Sequence, residues 1–166
     1  HHGRVGQRLR EARREVAAQF LEPAPASLLQ PLVAQGLISE QQAQMAQCVP
    51  MCDALTVEAD SGGHTDNRPL VCLLPSMLEL RDDLQAKHGY AQVVHIGGAG
   101  GIGTPAATLA AFMLGADYVV TGSVNQACVE SGASVHTKRV LAQAEQADVM
   151  MAPAADMFEM GVKVQV

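Results

Sequence analysis

The chain has 166 residues, enough for one domain with a sizeable core. Apolar residues make up 48% and aromatics only 3%, so the core is aliphatic, as in helix-covered parallel sheets. A net charge of −6 argues against a nucleic-acid surface, no apolar run is long enough to span a membrane, and no secretory signal is read.

Arg4, Arg8, Arg10, Arg13 and Arg14 interleave with Glu11 and Glu15. Residues 4–21 read as one amphipathic segment with a solvated helix face, ending near Pro23 and Pro25. Ser27 is expected to cap a short helix carrying Leu28, Leu29, Leu32 and Val33, with Pro31 in its early turns and Gly36 as its stop. Ser39-Glu-Gln-Gln42 has the form of a capping box for a second short helix, to about Gln47. The pair reads as a small helical hairpin inserted before the main run. Cys48, Cys52, Cys72 and Cys128 have no zinc spacing, Cys72 reads as core, and reduced thiols in a cytoplasmic protein are the default. The chain starts at His1-His2 without a methionine and ends in strand-like residues, so both ends are expected to be cut from something longer.

From residue 53 the pattern is regular. Ala54–Val57 is strand-like. Pro69–His88 is helical, anchored by Val71, Leu74, Leu78 and Leu84. Val93–Ile96 is a second strand; Thr104 and Pro105 then cap and open a helix that Gly115 stops. Tyr118–Thr121 is a third strand, and Ser134 caps a helix to about Gln146. Alternating strands and helices imply parallel βαβ units. The expected divisions are 1–52 as helical insertion and linker, 53–150 as βα units, and 151–166 as the start of a C-terminal extension.

Two loops carry anion-binding chemistry. The second strand runs into Gly97-Gly-Ala-Gly-Gly-Ile-Gly103 just before a capped helix, where backbone N–H groups and the helix dipole converge. The third strand ends in Thr121-Gly122-Ser123, which adds N–H and O–H donors. Consecutive strand-end loops of this type fit the phosphate site of a (β/α)8 barrel. Gly98-Ala-Gly100-Gly-Ile-Gly103 also matches a dinucleotide fingerprint, but the only nearby acid, Asp117, opens the next strand instead of ending it.

His64 follows Gly62 and Gly63 at the ligand-facing end of the first strand. It can move a proton near neutral pH, or it can be a plain loop residue. Asp60 and Asp66 flank it and can orient the imidazole or solvate the loop. His95 is expected to pack or hydrogen-bond within its strand, while His88 and His136 are expected at the surface. No carboxylate cluster suggests a metal, and Met157, Phe158 and Met160 read as core.

Four motifs, Asp60-Ser-Gly-Gly-His64, Ala99-Gly-Gly-Ile102, Phe112-Met-Leu-Gly-Ala116 and Val120-Thr-Gly-Ser123, resemble in order and spacing the nitronate monooxygenase and FabK-type enoyl reductase superfamily. Val57-Glu-Ala-Asp-Ser-Gly-Gly-His-Thr-Asp-Asn67 and Ala152-Pro-Ala-Ala-Asp-Met-Phe-Glu-Met-Gly161 are similar to the PfaD group, trans-acting enoyl reductases of polyunsaturated-fatty-acid and polyketide synthases. The resemblance implies an α/β fold, the last three strands of a (β/α)8 TIM barrel with a small helical insertion. It implies an FMN-dependent enoyl-thioester reductase with NAD(P)H as hydride donor and an acyl carrier protein as partner; a homodimer is left open. It implies His64 as the active-site residue, Gly62 and Gly63 as glycines passing the flavin, and Gly100, Gly101, Thr121, Gly122 and Ser123 at the FMN phosphate. Nitronate oxidation and a non-catalytic flavin-binding scaffold are the alternatives. Asp60 stands where the wider superfamily often has Glu, which fits the PfaD group better than the nitronate enzymes.

Overall fold

The computed structural model describes residues 8–11, 13–63, 65 and 67–166. Its centre is a parallel sheet of four strands in sequence order: β1 (Arg8–Glu11), β2 (Ala54–Glu58), β3 (His95–Ala99) and β4 (Tyr118–Val120). That is one strand more than the three expected. The extra strand, β1, lies inside the segment read as a continuous amphipathic helix. Three of its four residues are charged, so it offers no apolar run by which to recognise a strand. It pairs in register with β2 from Arg8↔Ala54 to Glu11↔Val57. Helix α1 then occupies only Arg14–Leu21.

Between α1 and β2 stands the expected helical hairpin, α2 (Ala26–Ala34) and α3 (Glu40–Ala46). The Ser39 side chain accepts from the Gln42 N–H, and the Gln42 side chain accepts from the Ser39 N–H, so the capping box is complete. Ser27 is not a cap; Pro25 takes that position and Ser27 lies within the helix. A bridge between Pro23 and Pro50 closes the base of the hairpin.

One face of the sheet is covered by α4 (Leu70–His88). Alternation along the strands sends Leu55, Val57 and Ile96 to that face, where they form the core with Leu74, Met77, Leu80 and Leu84. Full burial of a side chain such as Leu55 or Leu74, each 0% exposed, contributes about 1.5–3 kcal/mol. The α4 anchors are shifted from those expected: Val71 is 62% exposed, and Cys72 is exposed rather than core. Helix α1 packs on α4 through buried Ala17 and Leu21, and the Arg14 guanidinium donates to the Ser76 carbonyl and hydroxyl at 2.5 and 2.9 Å.

Beyond these lie α5 (Pro105–Met113), α6 (Ser123–Ala127), α7 (Val135–Gln143), an antiparallel hairpin of β5 (Met151–Pro153) and β6 (Lys163–Gln165), and two single-turn 3-10 helices at Gln146–Asp148 and Phe158–Met160. Thr104 and Ser134 cap α5 and α7 as expected, accepting from the Ala107 and Thr137 N–H groups. Met160 is 71% exposed, so it is not the core residue it was read to be. No described helix is long and apolar enough to cross a membrane.

Candidate functional site at the C-terminal ends of the strands

The parallel register places three loops side by side. Glu58 of β2 pairs with Ala99 of β3, and Ala99 pairs with Val120 of β4. The chain therefore leaves the sheet at one level in the segments beginning at Ala59, Gly100 and Thr121. Ligands of α/β sheets bind outside these carboxyl ends.

Loop contact is closest at Gly100. Its φ is +95°, and an added Cβ would lie 2.6 Å from the Asp60 carbonyl oxygen and 2.8 Å from that of Ala59. Only glycine fits here, because any side chain would separate the first loop from the second. Gly101, with φ +67°, is the opposite case, since nothing lies within 4 Å of its Cβ position. Gly103 and Gly122 face equally open space.

These open positions precede α5, whose first turn has Pro105 and the Thr104 cap. Among the described residues, no N–H from Gly100 to Thr104 donates to a protein carbonyl. Free N–H groups, room beside the backbone and the positive end of a helix dipole suit a phosphate. Gly122 is the N-cap of α6, which has five residues, and both Gly122 and Ser123 are exposed. Thr121 is half-buried, and its carbonyl accepts from the Asn125 side chain at 2.9 Å. The residues present fit a phosphate-bearing cofactor such as FMN.

The loop after β2 is tied at several points. The Asp60 N–H donates to the Arg68 carbonyl at 2.8 Å, closing the loop at its base. The Thr65 hydroxyl accepts from the Ser61 and Asn67 N–H groups and donates to the Asp60 carboxylate. Gly62 and Gly63 lie against β6: the Gly63 N–H donates to the Gln165 carbonyl and the Gln165 N–H to the Gly63 carbonyl, both at 2.8 Å. The sequence reading missed this contact, although Val162–Val166 alternates like a strand. His64 and Asp66 lie outside the described residues.

Other candidates are resolved by their surroundings. Asp117 serves the sheet, not a ribose: its carboxylate accepts from the Ile96 N–H at 2.7 Å, at the end of β4 opposite the loops. His95 is largely exposed, with Nδ1 3.7 Å from Asp117. His88 is half-buried instead of at the surface, stacked on Tyr90 at 5.3 Å. Among the described residues no three His, Cys, Asp or Glu side chains gather as a metal site would require.

No family model matches the chain. It is 50% identical over 155 residues to the polyketide biosynthesis protein PksE of Bacillus subtilis, a match that covers 93% of this chain and 20% of PksE. It is 50% identical over 157 residues to a component of the polyunsaturated fatty acid synthase of a Thraustochytrium species, covering 93% of this chain and 8% of that component. Among solved structures it superposes on the enoyl reductase domain of MlnA, from the macrolactin biosynthesis cluster of Bacillus amyloliquefaciens, with a TM-score of 0.89. That match has 40% identity and covers 96% of this chain and 36% of that domain's chain. The chain thus spans a fifth or less of these curated relatives.

Proposed function

We propose, from the premise that the chain belongs with the PfaD-type enoyl reductases its motifs resemble, that it forms part of a flavin-dependent enoyl-thioester reductase. The observation that carries this reading is the pair of open glycine loops on adjacent strand ends, set beside the loop that begins at Ala59 and Asp60. The sheet supports a barrel section: β1 and β4 each pair on one side only among the described residues, and each edge would continue into the rest of a barrel. Residues 53–150 would supply its βα units, 1–52 a further strand and the helical insertion, and 151–166 an extension.

The N–H groups of Gly100 and Gly101, with Thr121, Gly122 and Ser123, would hold the FMN phosphate. Gly62 and Gly63 would carry the first loop past the flavin. Bound FMN would supply the hydride relay from NAD(P)H to the β-carbon of an enoyl thioester. His64 would give the α-carbon its proton, or hold the thioester oxygen as negative charge develops there. An acyl carrier protein would present the acyl chain, in keeping with relatives named for polyketide biosynthesis and for a polyunsaturated fatty acid synthase. The reading places the protein in the cytoplasm.

Substrate competition tests the reading. The complete protein should oxidise NAD(P)H anaerobically with an enoyl thioester and show flavin absorption. Turnover of a nitronate with O2, and none of the thioester, would select nitronate oxidation instead. Bound flavin with neither turnover would select a binding scaffold.

A further inference from the structure

We infer that β6 is a brace for the loop after β2, and that Gln165 is a positioning residue acting through its backbone alone. This deepens the reading above, because the braced residue, Gly63, is bonded directly to His64 in the chain.

The geometry is specific to Gln165. In the β5–β6 hairpin Met150 and Val166 exchange both backbone hydrogen bonds at 2.8 Å, and the Ala154 N–H donates to Val162 at 2.9 Å. Antiparallel strands alternate bonded and non-bonded pairs, so Gln165, opposite Met151, is a non-bonded position. Its N–H and C=O therefore point away from β5, and both are taken by Gly63 at 2.8 Å. Gly63 meets them with φ +90°, a conformation that strains any other residue. The Gly62 Cβ position lies 3.9 Å from the Gln165 carbonyl oxygen, so the turn lies flat against the strand. On its other flank the same loop touches Gly100 through Asp60. The loop is thus held between the phosphate-loop backbone and β6 as far as Gly63, the last residue before His64 in the sequence.

The backbone nature of the contact gives the test. In the flavin-loaded complete enzyme, Gln165→Ala keeps every atom of the contact, whereas Gln165→Pro removes the donor. Gln165→Ala should reduce an enoyl thioester at the wild-type rate. Gln165→Pro should slow that half-reaction by ~10²-fold, as misplacement of a reacting group does, while flavin content and reduction by NAD(P)H stay unchanged. A wild-type oxidative half-reaction in Gln165→Pro, or an equal loss in Gln165→Ala, would overturn the inference. Amide hydrogen exchange on the wild type tests the brace without variants: the Gly63 and Gln165 amides should be protected, and exchange at the rate of a free loop would overturn it. Protected amides in an enzyme that turns over no enoyl thioester would uphold the brace and refute the catalytic reading beneath it.

Discussion

The Thr56 hydroxyl and the Tyr118 hydroxyl lie 2.8 Å apart, bonded across the strand between them. Thr56, Gly97 and Tyr118 are register partners on β2, β3 and β4. Gly97 makes the bond possible, because its missing Cβ would sit 2.2 Å from the Tyr118 ring. The ring crosses the bare backbone and satisfies a hydroxyl whose residue is 2% exposed. The pair lies on the sheet face away from α4, beneath the loops of the candidate site.

Gly97→Ala should therefore destabilise more than Tyr118→Phe. The methyl has no space unless the ring leaves, a cost of roughly 1–3 kcal/mol for overpacking plus the lost hydrogen bond. Tyr118→Phe should cost about 1–2 kcal/mol, since it orphans the Thr56 hydroxyl. Urea unfolding of both variants checks the order.

Two neighbouring glycines should respond in opposite ways. Gly100→Ala forces two loops apart at a positive φ, and should lower stability by roughly 2 kcal/mol or more. Gly101→Asp puts its Cβ in open space and costs only the strain of a non-glycine at φ +67°, about 1 kcal/mol for Asp, so it should fold; but it places a carboxylate at the proposed phosphate position and should eject the flavin. A folded Gly101→Asp protein with a full flavin complement would refute the phosphate assignment.

Alkali should loosen the junction of α1, β2 and α4. Burial, reinforced by the Asp53 carboxylate, pushes the Cys52 thiol from 9.0 up to about 11. Burial, with the Glu22 charge, pushes the Tyr90 hydroxyl from 10.0 up to about 12, and that hydroxyl donates to the Leu21 carbonyl at 2.9 Å. Between pH 9 and 11 the unfolded chain loses protons that the folded chain keeps, so stability falls as pH rises. Cys52 accounts for roughly 2 kcal/mol of this. Melting temperatures across pH 8–11 should drop steadily, and less steeply in Cys52→Ala.

Local chemistry was legible in the sequence. Ser39, Thr104 and Ser134 cap the helices they were expected to cap, because a cap is decided within four residues. The order of strands β2, β3 and β4 followed from alternation and glycine placement. Long-range pairing was not legible. Charged β1 is a strand only because β2 offers it an edge, and Gly63 meets Gln165 only because the hairpin folds back. In α4 the buried face is chosen by the sheet beneath it, so Val71 and Cys72 face out despite their apolar character. The same limit applies to the site: single loops could be read, whereas the contact of Asp60 with Gly100 required the register of two strands.

The most direct measurement is anaerobic stopped-flow of the two half-reactions in wild type and His64→Ala. The account predicts that His64→Ala keeps its flavin and is reduced by NAD(P)H at nearly the wild-type rate. Reoxidation by an enoyl thioester on acyl carrier protein should be slower by ~10²–10⁴-fold, the usual worth of a positioned proton donor or base. An unchanged rate of reoxidation by the thioester would contradict it and leave His64 a loop residue with no part in proton transfer.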